Sequence, residues 1–207
     1  HYDHADGMPA FFRENKNAKF YLRKGAGENC HGKKNFFMYK YNGIQKGILD
    51  NYADRIEYVE GDYELLEGVY LIPHKVQGLE KIAKKADLFI KENGKMFPDD
   101  FGHEHSLVFD TEKGLVVFNS CSHGGVDNII TEILATFPEK EICAYIGGLH
   151  LYKSTGADVR ALAKRTKETG ITRIITGHCT GDEAFAVLKE ELGDIVEQMY
   201  TGMEIEL

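Results

Sequence analysis

Leu115-Val116-Val117-Phe118-Asn119-Ser120-Cys121-Ser122-His123-Gly124-Gly125 passes from an unbroken apolar run into a small polar loop, and then into a helical pattern over residues 126–137. The apolar run predicts a strand. The glycines let a ligand approach the backbone, and the following helix start favours an anion. The same order recurs twice. Residues 141–146 lead through Gly147-Gly148-Leu149-His150 to a helix over about 157–168, and residues 171–176 lead through Gly177-His178-Cys179-Thr180-Gly181 to a helix over 182–192. His123, His150 and His178 thus stand 27 and 28 residues apart, the length of one strand-helix unit. This spacing predicts an α/β sheet with three histidine loops on one edge, beyond the carboxyl ends of the strands, where open sheets gather ligands. The units share spacing but not sequence, so they do not form a solenoid.

Working outward, residues 106–110 and 114–118 predict a hairpin turned by Thr111-Glu112-Lys113. Residues 55–59, 68–72 and 86–91 predict further strands, with Pro73 ending the second and Asn93-Gly94 marking a tight turn. Residues 5–15 predict a helix with Met8, Phe11 and Phe12 on one side and Pro9 in its first turn. Residues 19–22 predict a short strand. Residues 23–50 have no clean period and read as a loop insertion holding one hairpin. Residues 195–200 and 203–207 predict closing strands.

The chain has 207 residues and a formal net charge of −8, with 43% hydrophobic and 28% charged residues. These values fit a soluble globular chain and exclude a disordered or collagen-like one. The length suits one domain over 1–207 carrying the insertion at about 23–50. The acidic balance disfavours nucleic acid as a partner. No run of about 18 apolar residues offers a membrane span. Cys30, Cys121, Cys143 and Cys179 are widely spaced without a CxxC pair, which points to a reducing, cytoplasmic setting. A chemically loaded motif on the first residue leads us to expect a preceding segment.

That motif, His1-Tyr2-Asp3-His4, places two imidazoles and a carboxylate within four residues. Such N/O ligands suit zinc, iron or manganese. Taken alone, the motif fits a frayed terminus equally well. Three histidine loops at matched spacing favour a shared metal site. His150 reads as a ligand, or as a proton carrier beside the substrate. In Gly102-His103-Glu104-His105, one of the two histidines can supply a further ligand. Cys121 and Cys179 neighbour proposed ligands and can act as soft thiolate ligands or simply pack. His31 and His74 read as structural or substrate-side. In the insertion, Lys33, Lys34, Phe36 and Tyr39 combine cations with rings, which suits a phosphorylated or ring-containing small molecule, an exposed flap or a subunit contact. The sequence has no Walker loop, no GxGxxG after a strand and no GxSxG elbow.

Together these residues resemble the metallo-β-lactamase superfamily. His1-Tyr2-Asp3-His4 matches the last four positions of its H-x-H-x-D-H hallmark, and Asp6-Gly7 fits the turn into the next helix. Cys121-Ser122-His123, Gly147-Gly148-Leu149-His150-Leu151 and His178-Cys179-Thr180-Gly181 are similar to one branch of it. That branch includes the archaeal 7,8-dihydropterin-6-yl-methyl-4-(β-D-ribofuranosyl)aminobenzene 5′-phosphate synthases and related metal-dependent hydrolases. The resemblance implies a four-layer αββα sandwich with mixed sheets, holding two divalent metal ions, zinc first, with iron or manganese as alternatives. It implies His1 on the first metal, Asp3, His4 and His178 on the second, and His123 as a further ligand. The superfamily's bridging Asp has no Gly-Asp counterpart here, so His123, His150 or His103 must cover the remaining positions. The implied activity is hydrolysis of an ester, amide or phosphoester by a metal-bound hydroxide, with Asp3 orienting it and His150 protonating the leaving group. One alternative is a transferase joining a pterin-methyl diphosphate to an aminobenzene ribose phosphate. Another is a non-catalytic metal-binding domain.

Overall fold

Leu115, Val116 and Val117 are buried on both faces of their strand, which explains why the run is apolar throughout rather than alternating. In the computed structural model, which describes residues 1–35 and 37–206, they lie inside a seven-stranded sheet. The strands are β1 (Phe20–Arg23), β2 (Cys30–Asn35), β3 (Met38–Tyr41), β4 (Ile56–Val59), β5 (Tyr63–Leu66), β6 (Val69–Pro73), β7 (Leu88–Glu92), β8 (Lys95–Pro98), β9 (His105–Thr111), β10 (Gly114–Cys121), β11 (Ile142–Gly148), β12 (Ile174–Thr176) and β13 (Val196–Gln198). The helices are α1 (Tyr2–Ala5), α2 (Met8–Glu14), α3 (Ile48–Asn51), α4 (Glu80–Lys85), α5 (Val126–Thr136), α6 (Gly156–Glu168) and α7 (Asp182–Leu192). The chain divides into two compact units, His1–Gly61 with Gln77–Glu104, and Asp62–Val76 with His105 onward.

The second unit holds the sheet β13-β12-β11-β10-β9-β6-β5. From β10 to β13 the neighbours are parallel, and each connection carries a helix. From β10 back to β5 they are antiparallel. Leu115 and Val117 point to the face covered by α5, α6 and α7, where Ile129, Ile130, Val159 and Leu188 are buried with them. Val116 points to the other face, with Ala144, Ile146 and Ile175. Thr155 caps α6, its hydroxyl accepting the amide of Asp158 at 3.2 Å. The predicted closing strand at 203–207 is not formed over its described residues. Met203 and Ile205 instead pack against the Val116 face, and an apolar residue can be buried there without joining the ladder.

The first unit has an antiparallel sheet β3-β2-β7-β8 and a separate parallel pair, β1 with β4. The expected loop insertion is more regular than its sequence suggests. Its hairpin β2–β3 pairs onward to β7, which gives it a place in a sheet, and α3 follows. The helix expected at 5–15 is two short helices parted at Asp6-Gly7, with Gly7 capping α2 and Pro9 in its first turn. Met8 and Phe12 of α2 are buried with Ile48, Leu49 and Ile56, and Phe12 stacks on Tyr52 with ring centroids 4.4 Å apart.

Ile130 is fully buried on α5 beneath the sheet. Truncating Ile130 to Ala should cost about 2–5 kcal/mol by cavity formation. Denaturant unfolding of the Ile130→Ala variant checks this; a loss under about 0.5 kcal/mol would contradict the packing described.

Candidate metal centre

In the second unit, the loops after β10, β11 and β12 leave the same sheet edge and are tied together by polar contacts. The Ser122 amide and hydroxyl both donate to the Gly148 carbonyl, at 2.8 and 2.9 Å, and the hydroxyl also meets that of buried Tyr145. The Leu149 amide donates to the Thr180 hydroxyl at 3.0 Å, which pairs with that of Thr176 at 2.6 Å. The amides of Leu151 and Tyr152 both donate to the Cys179 carbonyl. Asn128 holds the Gly124 carbonyl at 2.7 Å. His150 and His178 sit at φ +50° and +51°, left-handed conformations uncommon for residues with a Cβ.

This lattice gathers imidazole and sulfur. The rings of His123 and His150 lie 4.3 Å apart. Cys121 Sγ is 3.3 Å from His150 Nδ1 and 2.7 Å from Cys179 Sγ, and the His150 amide donates to Cys179 Sγ at 3.2 Å. The hydrogen bond with Cys121, joined by those from the His150 ring and amide, outweighs burial and pushes the Cys179 thiol down to about 4. Ligand atoms of Cys121, His123 and His150 all lie within 4.8 Å of one another. An ion with bonds of about 2.0–2.3 Å to N and S ligands fits such a span, and the donor types suit zinc. The spacing argument therefore brought His123 and His150 together. His178 is exposed on the same edge, and its neighbour Cys179 reaches the cluster.

Behind the His123 loop stands a buried pair. His74 Nδ1 lies 3.0 Å from Glu132 Oε2, while Glu132 Oε1 accepts the amides of Lys75 and Val76 at 2.7 Å each. The His74 ring lies against Gly124, where an added Cβ would come within 2.6 Å of it. Burial raises the Glu132 pKa, but the His74 ring and the two amides outweigh it and hold the carboxyl below its ordinary value. His74, expected to be structural or substrate-side, thus supports the loop that carries His123.

The first unit contains a second group. Donor atoms of His1, Cys30 and Asp99 lie within 4.8 Å of one another. His103 Nε2 is 3.0 Å from Asp99 Oδ2 and 4.0 Å from Cys30 Sγ. Burial opposes charge on His103, yet the Asp99 carboxylate and Cys30 hold its pKa well above the usual imidazole value. Sequence reasoning missed Cys30 and Asp99. The available signal was the four-residue step from Asp99 to His103, the spacing of one helical turn. Asp3 and His4 are exposed on α1, with Asp3 Oδ2 3.6 Å from His4 Nε2. On the β2–β3 hairpin, Lys33 is half-buried, Lys34 is exposed, and Tyr39 packs edge-on against Phe89 at 5.1 Å. Phe36 lies outside the described residues. His31 bonds the Asn29 carbonyl at 2.7 Å, a structural role.

The chain is 27% identical over 209 residues to the 7,8-dihydropterin-6-methyl-4-(β-D-ribofuranosyl)-aminobenzene-5′-phosphate synthase of Methanocaldococcus jannaschii, across 98% of this chain and 71% of that relative. It matches the crystal structure of a metal-dependent hydrolase of the β-lactamase superfamily with a TM-score of 0.76 and 28% identity, covering 93% of this chain and 73% of the other. No protein-family profile matches the chain. The fold is of the metallo-β-lactamase type, both relatives are enzymes, and both support the resemblance drawn from the histidine motifs.

The Glu132 pair carries a pH prediction. A carboxyl held below its unfolded value of 4.5 adds stability above that pH, and the contribution is lost as pH falls through the folded value. Glu132→Gln should cost about 1–3 kcal/mol at neutral pH. The gap to wild type should narrow as pH drops below about 4.5. Denaturant titrations of both proteins at pH 7 and pH 4 test this, and a gap that widens in acid would overturn it.

Proposed function

We propose that this chain, which carries the metallo-β-lactamase superfamily fold and is similar to enzymes over 98% and 93% of its length, is a metal-dependent hydrolase of a small-molecule ester, amide or phosphoester. The observation that carries this reading is the convergence of Cys121, His123 and His150 within 4.8 Å at the carboxyl ends of parallel strands. By the resemblance, His1, Asp3, His4, His123 and His178 would hold two divalent metals, zinc first, with His103 and His150 as further candidates. Bound there, the metals supply the Lewis acidity that such hydrolysis needs. His150 Nδ1 lies 3.3 Å from Cys121 Sγ, which holds the ring beside the sulfur pair. In this reading His150 is the group that protonates the leaving group. Asp3, exposed on the same short helix as His4, serves as ligand and orienting carboxylate.

The second reading is a transferase, favoured by the synthase from Methanocaldococcus jannaschii. The lysines of the β2–β3 hairpin, with Tyr39, suit a phosphorylated, ring-bearing partner. A non-catalytic role is set aside because both relatives are enzymes. No described helix is long and apolar enough to cross a membrane. That is compatible with a cytoplasmic enzyme.

His123→Ala should lower metal content measured by elemental analysis and cut turnover of a chromogenic ester or phosphodiester by at least about a hundredfold. Unchanged metal and turnover would sink the proposal. Product analysis with a pterin-methyl diphosphate and an aminobenzene ribose phosphate separates the two readings: a joined product favours transfer, whereas cleavage of the diphosphate alone favours hydrolysis.

A further inference from the structure

We propose that Cys121 and Cys179 form a reversible disulfide, an oxidation site set inside the histidine cluster. Their sulfurs lie 2.7 Å apart, against about 2.04 Å in a disulfide. Short backbone ties, not flexible arms, hold both. Cys121 ends β10, paired in register with Gly148 of β11. The Cys179 sulfur occupies the space above Gly148, where an added Cβ would come within 2.6 Å of it. Two amides, from Leu151 and Tyr152, fix the Cys179 carbonyl. The other two cysteines are engaged elsewhere: Cys143 donates to the Leu115 carbonyl at 3.3 Å, and Cys30 belongs to the other unit.

Hydrogen peroxide is the oxidant this chemistry takes. Cys179, half-buried, is the more accessible sulfur, while Cys121 is buried. The Cys179 sulfur attacks one peroxide oxygen, the O–O bond breaks, and the departing oxygen takes up a proton from solvent and leaves as water. The Cys121 sulfur then attacks the sulfenic sulfur, forming the S–S bond and releasing the hydroxyl as a second water. The Cys121 proton leaves with that hydroxyl in the second water, and His150 Nδ1 stands 3.3 Å from the reacting Cys121 Sγ. Two thiols lose two hydrogens and two electrons, and one peroxide becomes two waters. The disulfide also removes the thiol that His150 Nδ1 contacts at 3.3 Å. If the hydrolase reading holds, oxidation therefore lowers turnover until a dithiol restores it.

The test needs no substrate. The protein as purified is treated with stoichiometric hydrogen peroxide, and its intact mass, alkylatable thiols and non-reduced peptide map are read. The expected result is a loss of about 2 Da, a fall from four alkylatable cysteines to two, and a linked pair of peptides carrying Cys121 and Cys179, all reversed by dithiothreitol. The Cys143→Ser variant should keep the cross-link and Cys179→Ser should lose it. If Cys179→Ser fails to fold, the wild-type peptide map decides alone. A sulfinic acid without a cross-link, a link to Cys30 or Cys143, or four cysteines still alkylatable would overturn the proposal. Because these are covalent readouts, an inactive protein that still forms the link would count against the hydrolase reading only.

Discussion

The register of β10 against β11 is the constraint on which the second unit depends. It places Cys121 beside Gly148 and lets Ser122 grip the Gly148 carbonyl twice. Strand side chains alternate with a period of two, so a slip of one residue would exchange the faces of Leu115, Val116 and Val117. The helix-covered face would lose Leu115 and Val117 together. The sulfur and imidazole groups at the strand ends would turn away from one another in the same motion. Burial of the apolar run therefore fixes the register, and the register fixes the chemistry. Parallel pairing adds a second restriction, because each strand must be followed by a crossover helix that returns the chain to the same edge. The three histidine loops cluster through topology, not through any affinity for each other.

This explains which parts of the fold were legible in the sequence. The βαβ half announced itself through continuous apolar strands, glycine-histidine loops and amphipathic helices, and its elements lie close to where the sequence placed them. β5, β8 and α4 went unread. β5 is an edge strand whose residues alternate between half-buried and exposed, and β8 combines a lysine with a terminal proline. α4 buries only Ala83 among its six residues. None of these stretches has enough apolar surface to impose a period on the sequence. The hairpin within residues 23–50 was anticipated, but its pairing to β7 is a long-range event that local pattern does not carry.

The site divides in the same way. His123 and His150 could be paired from spacing alone because repeated units turn sequence distance into spatial order. The group of His1, Cys30 and Asp99 could not, since its members come from three separate segments with no common period. The buried Glu132 was hidden for another reason. It sits on a helix whose buried residues are mostly apolar, and only the fold reveals that His74 and two amides satisfy it.

The left-handed backbone at His150 and His178 has a consequence for the way such a sequence can change. A side chain in that conformation costs about 1–2 kcal/mol relative to glycine. Glycine at either position would relax the turn and erase an imidazole in the same step. Substitutions chosen for thermal robustness alone would thus drift toward the loss of these histidines. Stability and chemistry pull in opposite directions at this edge, and a lineage that no longer used the site would be expected to record it first as glycine or asparagine at these two turns.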